Sequence, residues 1–95
     1  MPHAFALGHI SIKDPAKWAE YRDRVPGTLA PFGGELMFRG KLAATLSGKH
    51  AHTDTVAIRF ADLATAQAWH DSPAYQALIP LRQQAADITL LLFEE

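Results

Sequence analysis

The sequence contains no cysteine, which excludes several kinds of chemistry at once. Without thiols the protein can have no disulfide bond, thiolate nucleophile, iron–sulfur cluster or cysteine-based zinc site. Long apolar runs are also missing, because no stretch approaches the roughly 18 residues needed to span a membrane. The opening Met1-Pro2-His3 has no basic region followed by an apolar run, so no secretory signal is predicted. We therefore expect a cytoplasmic protein that does not insert into membranes.

Charge of one sign is not concentrated anywhere along the chain. Nine basic and ten acidic residues are spread over 95 residues and give a formal net charge of -1. Proteins that bind phosphate backbones usually carry a basic patch, so nucleic acid is not an expected partner. A length of 95 residues with 48% hydrophobic content suits one domain with one modest core and leaves no room for a separate catalytic domain. Residues 1–95 are therefore interpreted as a single domain.

The first third of the sequence predicts a strand followed by a helix. Residues 5–12 alternate loosely between apolar and polar positions, and Asp14 can cap a helix whose first residue is Pro15. Large side chains then recur at three- and four-residue steps at Trp18, Tyr21, Val25 and Leu29. This spacing gathers them on one helical face, which we expect to meet a sheet.

Glycines and a proline divide the middle of the sequence. Pro26-Gly27 should kink the helix, or end it before a brief resumption, because proline lacks the N–H donor of a helix interior. Gly33-Gly34 should then stop the helix. The alternation over residues 35–39 continues beyond Gly40 at Leu42, Ala44 and Leu46. This pattern predicts one long strand bent at the glycine.

The second half predicts, in order, a hairpin strand, two helical segments and a last strand, over residues 55–60, 63–70, 73 onwards and 88–93. Asp62 and Ser72 stand where the two helical segments begin and can cap them, and Pro73 is suited to a first helical position. The last segment is apolar at every position except Thr89, which is typical of a buried strand.

The predicted order is strand, helix, strand, strand, helix, strand, which is the ferredoxin-like βαββαβ arrangement of the α+β class. In this arrangement two helical segments cover one face of a four-stranded antiparallel sheet, and the other face stays open. An open face is normally polar, yet both faces of the strand over 88–93 are apolar. A second copy packing sheet to sheet would cover that face, so we expect a homodimer.

Histidines are the first candidates for chemistry. His50 and His52 are close enough in sequence to share a metal ion. No third ligand is apparent, however, and solvated loop histidines are commoner, so we expect no metal. His9 lies in the middle of the first strand, where it could act as a general base, although a hydrogen-bonded core histidine is the commoner situation. His9 is kept as a candidate ligand-binding residue.

Two arginines are predicted to lie beside apolar residues. Arg39 follows an apolar run in a strand, and Arg82 should share the sheet-facing side of its helix with Tyr75 and Leu78. Partly buried guanidinium groups need anions. The anion could be a carboxylate of a ligand, or one of the protein itself, from Glu35, Asp71 or Asp87. Both alternatives stay open at the level of sequence.

Aromatic residues and one serine complete the candidate set. Tyr21, Trp69 and Tyr75 lie on predicted helices, where large rings more often fill the core than line a cleft. Ser72 fits a capping position, and no Ser-His-acid pattern surrounds it that would make it a nucleophile. The predicted ligand-binding set is therefore His9, Tyr21, Arg39, Trp69, Ser72, Tyr75 and Arg82.

A series of short motifs along nearly the whole chain resembles the DUF1330 family. The motifs are Glu20-Tyr21, Phe32-Gly33-Gly34, Arg39-Gly40, Phe60, the stretch AWHDSPAY over 68–75, and Leu81-Arg82. The most specific one is Trp-x-x-Ser-Pro-x-Tyr followed by Arg seven residues later, because chance rarely reproduces it together with Gly-Gly and Arg-Gly upstream. The resemblance implies a dimeric α+β barrel, a superfamily that includes antibiotic-biosynthesis monooxygenase-like, muconolactone isomerase-like and stress-responsive proteins.

The resemblance also implies where a site would lie. Its matching positions would gather where the helices meet the sheet; they are Tyr21, Gly34, Arg39, Trp69, Ser72, Tyr75 and Arg82. The sequence departs from the family pattern at Ser47 and Arg59, where relatives often carry acidic residues. No acid–base role is therefore expected of these two positions.

Two classes of function are compatible with these observations. The first is a small-molecule enzyme or binding protein that takes a carboxylated or aromatic metabolite into a cleft lined by aromatics and Arg39, without a cofactor. The second is a non-enzymatic dimer that binds a ligand or partner in a regulatory or stress role, which the absence of a convergent acid–base pair favours. An RNA-binding module shares the element order, but the apolar last strand and the missing aromatic–basic signature argue against it.

Overall fold

A computed structural model describes residues 3–95; Met1 and Pro2, which belong to the segment used above to argue against a secretory signal, lie outside this range. Within it the elements are β1 (Ala4–Ile12), α1 (Pro15–Leu29), β2 (Glu35–Lys41), β3 (Asp54–Phe60), α2 (Leu63–Asp71), α3 (Pro73–Gln76), α4 (Ile79–Ala85) and β4 (Ala86–Glu94). A 3-10 turn over Ala30–Phe32 follows α1. The predicted βαββαβ order is confirmed, with α2, α3 and α4 together forming the second helical segment.

The strands form one antiparallel sheet in the order β2-β3-β1-β4. β1 pairs with β3 on one side and β4 on the other, so that Ala6 faces both Ile58 and Leu92. Successive side chains point to opposite faces, and Ala4, Ala6 and Ile10 are buried beneath the helices. The opposite face, called the open face below, carries Phe5, Leu7, His9, Phe38, Thr55, Ala57, Arg59, Thr89, Leu91 and Phe93.

Carboxylate caps begin α1 and α2 where the sequence predicts them. Asp14 Oδ1 accepts hydrogen bonds from the backbone N–H groups of Ala16 and Lys17, both at 3.1 Å. Asp62 Oδ1 accepts one from the backbone N–H of Thr65 at 2.7 Å. The side-chain and backbone hydrogen bonds with Thr65 hold the pKa of Asp62 below its ordinary value. These caps define the points at which the chain leaves the sheet and turns back over it.

The first helix does not end at Pro26, which was one of the two alternatives predicted there. α1 runs from Pro15 to Leu29 with Pro26 in its interior. A proline costs a helix one hydrogen bond, but the last turn is held by other contacts. Leu29 is buried in the core, and Thr28 Oγ1 donates to the backbone carbonyl of Val25 at 2.7 Å. Packing of this turn therefore outweighs the local preference of proline.

The second strand is shorter than predicted. β2 ends at Lys41, which pairs with Asp54, and residues 42–53 form an irregular loop instead of continuing the strand. The backbone N–H of Leu42 still donates to the carbonyl of Thr53 at 2.6 Å. The ladder ends there because the N–H of Thr53 turns to β1 and donates to the carbonyl of Ile10 at 3.0 Å.

The pairing of β2 with β3 shows no irregularity at Gly40, where the sequence predicted a bend. The register shift of β2 lies between Leu36 and Phe38. Gly40 has a different role: the ring of Phe38 lies over it, with Cζ only 2.6 Å from where a Cβ would stand. Leu46, predicted to continue the apolar face, is 96% exposed in the loop. The alternation over residues 42–46 thus does not correspond to a buried face.

The core lies between the helices and one face of the sheet. Its largest fully buried side chains are Trp69, Tyr75, Phe60 and Ile10. The indole N–H of Trp69 donates to Thr28 Oγ1 at 3.0 Å, so the polar edge of this ring is satisfied within the core. Among the helices of residues 3–95, none combines the length and the apolar character required to cross a membrane.

Candidate functional site

A cavity opens between α1 and the helix-covered face of the sheet. It has a volume of about 70 Å³ and is lined mostly by apolar side chains from α1 and from all four strands. A single water needs roughly 15 Å³, so this space can hold the body of a small organic molecule whose remainder projects from the mouth. We call it the α1 cavity. Its lining includes Gly8, Tyr21, Arg22, Arg39, Trp69 and Tyr75.

Gly8 leaves space for this cavity in its floor. It lies on the helix-covered face of β1, opposite Val56 on β3 and Leu90 on β4. A Cβ added to Gly8 would stand 3.0 Å from Val56 Cγ1 and 3.7 Å from Leu90 Cδ1. Sequence reasoning missed this residue, although a glycine inside a strand often marks the close approach of a ligand or another backbone.

Arg39 lies at the mouth of the cavity. Its pairing with Val56 places it on the helix-covered face of β2, where it is exposed to solvent. Among the salt bridges of residues 3–95, none involves Arg39. The carboxylates considered as internal partners pair elsewhere: Glu35 with Arg59 at 2.7 Å, Asp87 with Lys13 at 3.5 Å and Asp71 with His70 at 3.4 Å. The guanidinium group is thus available to an external anion.

Arg22 lines the same mouth from α1 and was not predicted. Its contact with Asp23 is long, with 3.9 Å between Nε and Oδ1. A signal was present in the sequence, because Arg22 follows Trp18 by four residues and therefore shares its side of the helix. A single arginine on an amphipathic helix is most often solvated, so the spacing alone did not single it out.

Two tyrosine hydroxyls and one arginine form a hydrogen-bonded chain at the wall of the cavity. Tyr21 Oη and Tyr75 Oη are 2.8 Å apart, and Arg82 Nη1 donates to Tyr75 Oη at 2.9 Å. Burial, and then the neighbouring Tyr75 hydroxyl, raise the pKa of Tyr21 well above its ordinary value. Tyr21 is therefore a neutral hydrogen-bond donor near pH 7 and cannot serve as a base.

Two further predicted residues, Trp69 and Ser72, are tied into the protein's own structure. Trp69 lines the cavity with its ring while its N–H is bonded to Thr28. Ser72 Oγ donates to the backbone carbonyl of Trp69 at 2.7 Å and accepts from the N–H of Tyr75 at 3.3 Å. Ser72 thus caps the helix that positions Tyr75 and does not line the cavity.

His9 lies on the other side of the sheet. Its ring is on the open face, half-buried, with ring centres 5.1 Å from His50 and 6.5 Å from His52. His9 Nδ1 is 3.1 Å from Thr55 Oγ1. Burial, and then the two neighbouring histidines, lower the pKa of His9. Over residues 3–95, no three side chains are arranged to hold a metal ion; the expectation that the protein carries no metal stays a prediction.

The structure brings together only part of the predicted set. Tyr21, Arg39, Trp69 and Tyr75 meet at the α1 cavity, and Arg82 lies directly behind Tyr75. The two positions that depart from the family pattern lie elsewhere. Ser47 is exposed in the loop 42–53, and Arg59 pairs with Glu35 on the open face. The cavity therefore combines aromatic residues with Arg39, an arginine for which the described residues provide no carboxylate partner.

An antiparallel four-stranded sheet covered on one face by helices defines the protein as a member of the ferredoxin-like α+β class. Solved structures that it resembles include RPA0582, a protein of unknown function from Rhodopseudomonas palustris, with a TM-score of 0.78 and 16% identity over 96% of this chain and 80% of that chain. SnoaB, a cofactor-independent oxygenase from Streptomyces nogalater, matches with a TM-score of 0.69 and 13% identity over 98% and 92%. The hydroxynitrile lyase of Passiflora edulis matches with a TM-score of 0.74 and 12% identity over 98% and 93%.

The family follows from the sequence match. The model of the domain of unknown function DUF1330 covers residues 3–95, so the chain belongs to the DUF1330 family, as its motifs predicted. No curated protein sequence matches this chain. Some solved structures of the same fold are described as dimeric. At identities this low the structural likeness concerns the fold, and the function has to be argued from the site.

Proposed function

We propose that the α1 cavity binds a small, mainly apolar molecule with a carboxylate, which the protein holds or transforms without a metal or organic cofactor. One observation carries the proposal: an apolar cavity has at its mouth an arginine, Arg39, for which residues 3–95 provide no carboxylate partner. Small-molecule sites usually have this form, an apolar cleft with a few polar groups that orient the ligand.

The chemistry of the mouth and of the interior indicates the ligand class. A planar guanidinium group binds a carboxylate through two parallel hydrogen bonds, and Arg22 adds a second positive charge to the lining of the same cavity. The interior favours an aromatic or aliphatic body, because Trp69, Tyr75 and the apolar side chains of the strands surround it. An arene carboxylate or a short aliphatic carboxylate fits these requirements best.

Catalysis without a cofactor is known for this architecture, since SnoaB is a cofactor-independent oxygenase. In this chain Tyr21 provides a neutral donor and Arg39 a cation, which together can bind and polarise a ligand. The residues that line the cavity include no carboxylate and no histidine, the side chains that acid–base catalysis most often uses. Binding is therefore the primary proposal, and transformation of the bound molecule is secondary to it.

The alternative is a non-enzymatic dimer that binds a ligand in a regulatory or stress role. The exposed apolar residues of the open face, Phe38, Leu91 and Phe93, favour self-association. Turnover separates the two alternatives. The protein is incubated in air with a carboxylate that it binds, and the mixture is followed by mass spectrometry. Conversion of the carboxylate supports an enzyme, and its full recovery supports a binding protein.

Isothermal titration calorimetry with benzoate and 4-ethylbenzoate tests the proposed site. We expect Arg39→Ala to weaken binding at least about tenfold, because a bidentate contact to a carboxylate is lost. Arg24→Ala is the matched control, since Arg24 lies on the exposed side of α1 and is bonded to Glu20. Equal affinities in all three proteins would contradict a carboxylate site at Arg39. Absence of binding by every carboxylate tested would contradict the proposed function.

A further inference from the structure

The hydroxyl pair of Tyr21 and Tyr75 has one hydrogen more than its surroundings can accept. Each hydroxyl carries one hydrogen, and the 2.8 Å contact between the two oxygens uses one of the two. The third member of the chain, Arg82, can only donate. Neither hydroxyl has another acceptor within residues 3–95. One O–H hydrogen at the cavity wall is therefore left for water or for a ligand.

The direction of the hydrogen bonds from Arg82 through Tyr75 to Tyr21 decides which tyrosine carries this hydrogen. Tyr75 Oη accepts from Arg82 Nη1, and a hydroxyl that accepts from a cation becomes a better donor because bonds in a chain polarise one another. Tyr75 therefore donates to Tyr21, and the free hydrogen belongs to Tyr21. Tyr75 is 1% exposed and Tyr21 is 7% exposed, which also makes Tyr21 the more accessible end of the chain.

We propose that Tyr21 donates this hydrogen to a carbonyl oxygen at the inner end of the ligand, whose carboxylate lies at Arg39. The inference rests on the proposed function, which supplies the ligand and the cavity. A carbonyl group brings acceptors only, whereas a ligand hydroxyl would bring another hydrogen that lacks an acceptor. A second carboxylate would be an anion in an apolar interior, where the neighbouring cation, Arg82, already donates to Tyr75 Oη. The substrate class is therefore a small oxo-carboxylate with an apolar body.

Arg82 has a separate part in this arrangement. It does not line the α1 cavity and so would not touch the ligand. Its guanidinium group bonds to Tyr75 Oη and lies 6.0 Å from the centre of the Tyr75 ring. Arg82 is thus a positioning residue, which orients and polarises the hydroxyl pair. Replacing it should change the recognition of the carbonyl group more than the recognition of the carboxylate.

Two pairs of probes that differ by one carbonyl group test the inference. The aromatic pair is 4-acetylbenzoate and 4-ethylbenzoate, and the aliphatic pair is 4-oxopentanoate and pentanoate. We expect the intact protein to bind the oxo member of at least one pair about tenfold more tightly, as measured by calorimetry. The ratio within one protein is informative even if a variant is partly unfolded, because unfolding weakens both members of a pair equally.

Three variants test whether the preference for the oxo probes depends on the hydrogen bonds that join Tyr21, Tyr75 and Arg82. Tyr21→Phe should bring the ratio of the two affinities within each probe pair close to one. Arg82→Met should reduce the ratio about threefold, and Arg82→Lys, which keeps a cationic donor, should restore most of it. Arg24→Met is the control and should have no effect. The ketone stretch of bound 4-acetylbenzoate should lie at lower frequency in the wild-type protein than in Tyr21→Phe.

The outcomes distinguish this inference from the function on which it rests. If both members of each pair bind equally to the wild-type protein, the carbonyl inference is overturned while the carboxylate site stands. If the preference persists in Tyr21→Phe, another group recognises the carbonyl and the inference is again overturned. If no probe binds and benzoate does not bind either, the proposed function and the inference fail together.

Discussion

At the scale of single residues, the absence of a side chain at Gly8 provides part of the volume of the α1 cavity. In Gly8→Ala the added methyl group enters the floor and requires Val56 to shift by a few tenths of an ångström. We expect the affinity for benzoate to fall about fivefold, because binding space is lost. The melting temperature should stay within about 4 °C of wild type, since alanine is otherwise preferred over glycine in a strand by roughly 0.5–1 kcal/mol. An unchanged affinity would show that benzoate binds elsewhere.

His9 should make stability dependent on pH. Burial, followed by His50 and His52, lowers its pKa in the folded state, so the unfolded chain binds more protons just below the ordinary histidine pKa of about 6.5. The contribution of neutral His9 to the free energy of unfolding is therefore fully present above about pH 6.5, and it is lost as the pH falls through the lowered pKa of the folded state. We expect the free energy of unfolding, measured with urea, to fall less between about pH 7.5 and pH 5.5 in His9→Gln than in the wild-type protein. The control variant His3→Gln, at an exposed residue, should behave as wild type does.

Sequence reasoning finds the residues of the site whose positions depend on local spacing. Tyr21 belongs to a helical face with a regular period, and Tyr75 follows a capped helix start, so both could be placed against the sheet. A glycine inside a strand is itself a signal, but placing Gly8 in the floor of the cavity requires the strand register, which the sequence does not provide. The lack of a carboxylate partner for Arg39 among residues 3–95 could not be predicted either, because it depends on where carboxylates distant in sequence lie. His9 belongs to the face that the helices leave open, and strand alternation alone does not reveal which face the helices cover.

At the scale of elements, α1 contains a glycine that its conformation does not require. A Cβ added to Gly27 meets nothing within 4 Å, and its φ is not positive. Gly27→Ala should therefore raise the free energy of unfolding by about 0.5–1 kcal/mol. Gly33 is the contrasting case, because its φ of 64° strains any other residue, and Gly33→Ala should lower that free energy by about 1 kcal/mol. Urea denaturation measures both; a destabilised Gly27→Ala would contradict the first expectation.

The types of the elements could be predicted from the sequence better than their lengths. Caps such as Asp14 and Asp62 are local, so the starts of α1 and α2 were predictable. The end of β2 is not local, because it depends on Thr53 leaving the ladder for β1. An alternating run cannot show whether a partner strand is present. Similarly, Pro26 remains inside α1 because the following turn packs against the core, and such packing contributes most of the stability of helices in proteins.

For the whole molecule, the difference between the two sheet faces is the feature with the largest consequence. The helices cover one face, while Phe38, Leu91 and Phe93 on the open face are 54%, 40% and 49% exposed. The apolar character of both faces of β4 was visible in the sequence, so a homodimer could be expected from it. The strand register shows which side chains are neighbours on the open face: Leu91 lies beside Leu7, and Phe93 lies beside Phe5. An apolar surface of this kind normally marks an interface.

We therefore expect light scattering at micromolar concentration to report the mass of two chains of 10.4 kDa each. Phe93→Glu should yield a folded monomer, because the carboxylate would be buried in an apolar interface without a cation to pair with. Ala64→Glu adds the same charge to the exposed surface of α2, on the helical side of the molecule, and should leave the dimer intact. A wild-type monomer that persists as concentration rises would show that the open face is not covered by a second copy. A dimer that survives Phe93→Glu would place the interface on another surface, and the cavity, which lies beneath the helices, would be unaffected in either case.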